Sequence, residues 1–307
     1  MSWKTVLSLL FFFVVVVLLV FYWILPFGRV LQFGYPAGNG NSNFSIGNSS
    51  LVDMQFYENM RYQNKEITYH MGDCPIAKTD EMNRAFDIIE NLTVVSFKAV
   101  PEGQEEISIT CESSARVAGR TFIAGEGGVT NVTATDNFNV IFNGMILLLR
   151  ETKCSDPIVG IHELLHSMGF DHSSNPENMM YPTVNCGQTI GEDVVNQINN
   201  LYSFESLADV SIESASAEIH GNYLDLSLTL KNNGLIGSAD SRLVVYADDR
   251  NIKELDVDSM SVGAGREISL TNIFLLRSGV EEIKLVVEYS PSELDKENNV
   301  LVLQVKK

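Results

Sequence analysis

The sequence predicts an α+β domain followed by an all-β sandwich, both carried behind an apolar N-terminal helix. Three observations predict it. Val6 through Leu25 run without a charged residue, and about 20 such residues span a bilayer as helix. The middle of the chain mixes short apolar runs with segments of helical period, one of them rich in histidine. Beyond residue 208, apolar residues alternate with polar ones between turn signals.

The apolar region of a secretory signal is usually about 7–15 residues and ends near a small-residue cleavage site. The run here is longer, and Leu25-Pro26-Phe27-Gly28-Arg29 offers no clean site. Residues 1–26 are therefore expected to be an uncleaved transmembrane signal anchor, a cleaved signal peptide being the alternative. Lys4 before the span and Arg29 after it bear only weakly on orientation. Residues 27–61 are expected to form a flexible stalk, because Gly34 to Ser50 is rich in Gly, Asn and Ser.

The formal net charge of −18, from 21 basic and 39 acidic residues, opposes nucleic-acid binding and suits a solvated ectodomain. The four cysteines are Cys74, Cys111, Cys154 and Cys186, all in the middle region. An even set in an exported domain points to disulfides. Three pairings are open, and Cys74–Cys111 with Cys154–Cys186 is the favoured one. A cysteine zinc site competes, but no C-x-x-C pair exists. Glycosylation triplets at Asn43, Asn48, Asn91 and Asn131 are compatible with an outside location.

The middle domain is expected over 62–205. Glu66 to His70 reads as its opening strand, and Thr79 or Asp80 caps a helix over 81–91 whose apolar face carries Met82, Ala85, Phe86, Ile88 and Ile89. Val94–Phe97, Ile107–Thr110, Gly119–Ala124 and Val140–Leu149 read as strands, with Gly119–Ala124 at the edge. A last helix near 191–203 shows Val194, Val195, Ile198 and Leu201 on one face. Residues 208–307 are expected to form a sandwich of about seven strands, with Leu224–Leu230 the clearest alternation and Asn232-Asn233-Gly234 a turn.

The chemistry lies in His162-Glu163-Leu164-Leu165-His166-Ser167-Met168-Gly169-Phe170-Asp171-His172, an H-E-x-x-H-x-x-G-x-x-H pattern. A helix places residues i and i+4 on one face, so His162 and His166 can share one metal ion. Gly169 tolerates positive φ and can end the helix sharply, returning His172 as third ligand. Three protein ligands leave a position for water and substrate, and Glu163 borders the metal as candidate base. His70 and His220 lack partners at ligand spacing and read as structural.

On that stretch, continued by Ser173-Ser174 and by Met180-Tyr181-Pro182, the chain resembles the metzincins and, among them, the matrixins (matrix metalloproteinase-like peptidases). The resemblance implies an α+β zinc protease fold, one catalytic Zn²⁺, Met180 as the methionine turn beneath the histidines, and Tyr181 and Pro182 lining the specificity pocket. Met179 is the rival for the turn; choosing it would place Tyr181 where some metzincins carry a ligand, and the spacing favours Met180. The resemblance also implies an antiparallel edge strand, placed near Ala124-Gly125, that holds peptide substrate by main-chain bonds. The family's second zinc is not carried over, since residues 112–161 hold no histidine. Gly72-Asp73-Cys74-Pro75 does not match the family's cysteine switch. Calcium has no dedicated motif, although scattered Asp, Asn and carbonyl oxygens have the chemistry to bind it.

Lys231-Asn232-Asn233-Gly234 and Asp295-Lys296-Glu297-Asn298-Asn299 resemble CARDB-type immunoglobulin-like modules. The combined expectation is a single-pass membrane protein with an extracellular zinc endopeptidase domain acting on protein or peptide substrates, secreted if the N-terminal segment is cleaved. The rival is a cell-surface adhesion protein whose sandwich binds a surface ligand while the zinc domain is structural or narrowly specific. No nucleic-acid partner is expected.

Overall fold

The structure, a computed structural model, describes residues 2–24, 31–34, 54–113, 117–118, 121–122, 124–150, 154–277 and 279–304. Helix α1 (Trp3–Ile24) has 22 residues, or about 33 Å of rise. Its side chains are described only as far as Val17, Leu9 excepted. Among the described residues no helix is long and apolar enough to cross a membrane. The transmembrane expectation for residues 1–26 is therefore not carried by the described residues.

The middle domain orders β2 (Met60–Tyr62), β3 (Glu66–Met71), α2 (Ile76–Leu92), β4 (Ser96–Ala99), β5 (Ile107–Cys111), β6 (Val117–Ala118), β7 (Thr121–Phe122), β8 (Gly125–Ala134), β9 (Asn139–Leu148), α3 (Ile158–Ser167) and α4 (Glu192–Leu201), after β1 (Leu31–Gly34). Its main sheet runs β2-β9-β5-β3-β4 with all neighbours parallel, and β8 adds antiparallel to β9. Parallel neighbours need a crossover, and α2 supplies it between β3 and β4. Helices α2 and α3 pack together over a core that includes Met82, Phe86, Ile89, Ile109, Ile146, Ile161 and Leu165.

Two expectations here are corrected. Helix α2 starts at Ile76 behind Pro75 with no side-chain cap, not at residue 81. Cys74 is bonded to Cys111, which anchors the helix start to the end of β5 and removes the need for a capping side chain at Thr79 or Asp80. The edge strand is β8, Gly125–Ala134, rather than Gly119–Ala124. Of that expected strand, Thr121 and Phe122 pair with Val117 and Ala118 instead, and residues 119, 120 and 123 lie outside the described residues.

The C-terminal part holds β10 (Val210–His220), β11 (Tyr223–Asn232), β12 (Ser241–Ala247), β13 (Arg250–Val257), β14 (Gly265–Phe274), β15 (Glu282–Glu288) and β16 (Val300–Gln304). Two four-stranded antiparallel sheets, β1-β10-β11-β14 and β13-β12-β15-β16, enclose Leu226, Leu228, Leu230, Leu243, Val245, Ile283 and Leu285. Alternation along β11 places every second residue in that core. Strand β1, expected in the stalk, pairs with β10 from Leu31↔Ile219 to Gly34↔Ser216. It covers an edge that would otherwise present unpaired backbone groups.

The two parts meet in a small core of Phe138, Val140, Leu235 and Val262. Arg61 is fully buried beside it, donating to the carbonyls of Leu201 (2.6 Å), Phe204 (3.1 Å) and Gln63 (3.1 Å). Its guanidinium lies 4.5 Å from the Tyr202 ring centroid. Gln63 donates to Leu235 O at 2.9 Å, and Lys231 pairs with Asp136 at 2.8 Å. The sandwich is thus seated on the strand ends of the middle domain. Leu235→Ala removes the buried centre of this seat and is expected to cost about 2–5 kcal/mol, measured by urea unfolding of the full chain.

Candidate metal centre

Helix α3 is buried from Ile158 through Ser167. Burial this complete requires neighbours that approach without side chains. Gly125-Glu126-Gly127-Gly128 opens β8 across the helix, and a Cβ on Gly127 would overlap the Glu163 backbone while one on Gly125 would lie 2.7 Å from Glu163 Cγ. On the other side, a Cβ on Gly160 would lie 3.2 Å from Ala85 Cβ of α2.

The helix ends in a Schellman arrangement. Phe170 N–H reaches Leu165 O and Gly169 N–H reaches His166 O, each at 3.0 Å. Gly169 has φ +94, and a Cβ there would meet Met60 Cβ at 2.7 Å. Both conformation and space therefore require glycine. The chain then returns alongside Met54–Phe56, where Phe56 N–H donates to Gly169 O and Asp171 N–H to Met54 O. The Phe56 ring stacks on His166 with centroids 5.8 Å apart.

The turn brings His162, His166 and His172 together. His162 Nδ1 is 2.8 Å from Met179 O, and His166 Nδ1 is 2.7 Å from Phe170 O. A carbonyl only accepts, so both Nδ1 atoms carry the proton and both Nε2 atoms present lone pairs. Those two Nε2 atoms face each other at 3.0 Å, and His172 Nε2 lies 3.2 Å from that of His166. Two lone pairs at that distance are not a hydrogen bond. One dication between them answers the repulsion. Tetrahedral zinc with bonds of about 2.0–2.1 Å spaces its nitrogens by about 3.3 Å, so the residues fit the ion.

Electrostatics agree with that chemistry. Burial, with the neighbouring imidazoles, holds His166 down to about 4, and burial lowers His162 as well. Both are therefore neutral, the form that binds metal. The Glu163 carboxyl is pushed up to about 8, by burial first and by the Glu126 charge second, against the opposing hydrogen bond from Gly127 N–H. A dication beside it would favour its ionised form.

In the segment that reaches His162 through Met179 O, Tyr181 N–H donates to Asn178 O at 3.0 Å and Met180 N–H to Asn178 Oδ1 at 2.8 Å, closing a turn. Met180 is fully buried, and its carbonyl accepts from Ser173 N–H at 2.8 Å. Met179 is buried too and orients His162 through its carbonyl. Tyr181 is half-buried and Pro182 exposed. Among the described residues, no hydrogen bond or ring contact joins either to the histidines. Cys154 is bonded to Cys186, tying the approach to α3 to the segment beyond the turn. His70 instead faces Val100 O, and His220 faces Glu218 and Asp225.

Sequence reasoning missed several contributors. The carbonyls of Met179 and Phe170 have no residue-type signal. Gly125, Gly127 and Glu126 did leave one, since glycines within a strand mark close approach of another backbone. Lys78 is buried in α2 and donates to the carbonyls of Glu112, Leu148 and Leu149, closing off the ends of β5 and β9.

Fold and site together define a mixed α/β domain with a three-histidine group that has the chemistry to hold a metal ion. Residues 61–203 match the Matrixin family model (Peptidase_M10), and residues 207–302 match the CARDB model. The chain thus matches the matrixin model over its middle part and the CARDB model over its C-terminal part. Among curated relatives, macrophage metalloelastase of Rattus norvegicus is 26% identical over 40% of this chain and 28% of its own length. Matrix metalloproteinase-26 of Homo sapiens is 25% identical over 47% of this chain and 58% of its own length. Matrix metalloproteinase-16 of Homo sapiens is 27% identical over 47% of this chain and 26% of its own length. The chain therefore spans between about a quarter and three-fifths of these relatives. A solved CARDB domain from Pyrococcus furiosus, described in complex with di-metal ions, shares 19% identity over 32% of this chain and 87% of that chain, with a TM-score of 0.27.

A metal held at this site would offset the repulsion of the facing imidazoles, and its removal would restore it. Treatment with 1,10-phenanthroline is expected to lower the melting temperature by about 5 °C or more, with recovery on adding back zinc.

Proposed function

We propose that this chain is a zinc-dependent endopeptidase that hydrolyses peptide bonds in protein or peptide substrates. The observation that carries the reading is the convergence of three imidazole nitrogens, two of them from the buried helix that also carries the Glu163 carboxyl. His162, His166 and His172 hold the ion through Nε2, and Met180 floors the site. Zinc, when bound there, supplies Lewis-acid activation of a water and of the scissile carbonyl.

Glu163 takes the proton of the attacking water and passes it to the leaving amine. Gly127 N–H, hydrogen-bonded to the Glu163 carboxylate, orients it for both transfers. Strand β8 pairs only with β9 among the described strands, so its other edge is available to an extended substrate through main-chain bonds. Tyr181 and Pro182 are proposed to border the side-chain pocket.

The domain division proposed keeps an anchor in 1–26 and a sandwich in 208–307, but the expected stalk 27–61 is corrected at its end and the catalytic domain 62–205 is extended upstream, because Phe56, Met60 and Arg61 pack within it. The anchor rests on the uncharged run Val6–Leu25 and on the backbone helix Trp3–Ile24. Placement of the catalytic domain outside the cell is supported by the two disulfides, which suit an oxidising compartment. An adhesion role for the sandwich alone explains neither the facing imidazoles nor the buried Glu163 carboxyl on the same helix.

Full-length protein and Glu163→Gln are compared for zinc content and for cleavage of casein and a peptide library. Both forms are expected to hold about one zinc, with cleavage by the variant lower by roughly 10²–10⁴. Equal cleavage by the two forms, or none by either, contradicts the proposal.

A further inference from the structure

The sandwich contains a second buried polar cluster that the proposed peptidase site does not use. Where β10 begins, Ala208 bridges to Glu293 and accepts a hydrogen bond from Leu294 N–H at 3.1 Å. This juxtaposition buries three carboxylates, with Asp209 exposed by 1%, Glu293 by 8% and Asp295 by 9%. Leu294 packs against the core that joins the two domains.

The donors in this cluster are already used. Asp209 accepts from Asn298 Nδ2 at 2.9 Å and from the Asp295 N–H. Glu293 accepts from Val210 N–H at 2.9 Å and from Asn299 Nδ2. Asp295 Oδ1 accepts from Glu297 N–H at 2.8 Å. Both asparagines are thereby fixed in orientation, because flipping either amide would set its oxygen against a carboxylate.

Three atoms are then left over: Asp295 Oδ2, Asn298 Oδ1 and Asn299 Oδ1 are buried and without a hydrogen-bond partner. All three are oxygens, and no buried side-chain donor lacks a partner among the described residues. The deficit has one sign: acceptors in excess, inside an anionic cluster. Burial, helped by Glu293 and Asp295, also pushes the Asp209 carboxyl up to about 6. Lys296 acts on Glu293 electrostatically but is itself exposed.

We propose that the turn Asp295–Asn299 is a Ca²⁺ site in which Asp295 Oδ2, Asn298 Oδ1 and Asn299 Oδ1 are donors to the ion. The donor set is entirely oxygen, with no imidazole or thiolate, which selects a hard cation over zinc. A mixture of carboxylate and amide oxygens on an irregular turn suits calcium, which accepts six to eight ligands in flexible geometry, better than octahedral magnesium. Leu294 lies between the site and the domain seat, so the ion would stiffen the junction rather than take part in hydrolysis.

The test uses the full chain in detergent, freed of divalent ions on a chelating resin and reloaded with zinc alone. Millimolar CaCl₂ is expected to raise the melting temperature by roughly 3–8 °C, and millimolar MgCl₂ to do much less. Asp295→Asn keeps the shape, removes one carboxylate and adds a donor. It should melt no lower than the wild type without calcium and lose most of the calcium shift. Asn298→Ala should lose the shift as well. Calorimetric titration with CaCl₂ should show one binding event fewer in each variant than in the wild type. An unchanged calcium response in both variants places calcium elsewhere and overturns the proposal. No calcium response in the wild type leaves the oxygens to a buried water and overturns it too. Neither outcome bears on peptide cleavage.

Discussion

Two imidazole nitrogens face each other at 3.0 Å inside the middle domain, and much of that domain serves to hold them there. Each is locked by a carbonyl behind its ring, and each carbonyl belongs to a separate structural device. Phe170 O comes from the Schellman end of α3, which exists because Gly169 alone fits both the backbone angle and the space beside Met60. Met179 O comes from the Asn178–Tyr181 turn, itself tied to the segment following His172 through Ser173. The Cys154–Cys186 bond joins the two sides of this construction, and a loop of its size contributes about 3–4 kcal/mol in the chain-entropy model. A cation is the natural partner for lone pairs held so rigidly.

The same economy governs the approach of β8. A strand laid over a helix usually keeps side chains between them, yet Gly125 and Gly127 bring β8 into backbone contact with α3 at Glu163. That contact buries the carboxyl, hands it a main-chain N–H and places Glu126 beside it. The far end of the β8–β9 hairpin rests on the sandwich, where Thr133 lies against Gly263 and Asp136 pairs with Lys231. One hairpin thus links the candidate base at one end to the CARDB domain at the other. Arg61, satisfied by carbonyls alone, completes the junction from the side of β2 and α4. The second module is a packed neighbour of the first domain rather than a bead on a tether.

Local chemistry was legible in the sequence wherever spacing alone encodes it. The i, i+4 histidines, the glycine that turns the chain and the period-two alternation of Leu224–Leu230 need no knowledge of distant residues. What was not legible depends on partners far along the chain. Gly125–Gly128 falls where an edge strand is expected, but its backbone contact is visible only once α3 is known to lie against it. Leu31–Gly34 reads as stalk until β10 offers an edge. Pro75 starts α2 because Cys74 is bonded 37 residues away, which no capping rule anticipates. Lys78 sits on the face of an amphipathic helix as if solvated, and only the carbonyls at the ends of β5 and β9 explain its burial. The carbonyls of Met179 and Phe170 were invisible because main-chain groups carry no sequence signature.

The proposed function requires one ion held by three imidazoles. X-ray absorption at the zinc edge, recorded on the full chain, reads that environment directly. Three imidazole nitrogens and one further light atom at about 2.0–2.1 Å, with the multiple-scattering pattern of histidine and no sulfur, is the predicted result. A sulfur shell near 2.3 Å, or a spectrum unchanged when His166 is replaced by alanine, would contradict it.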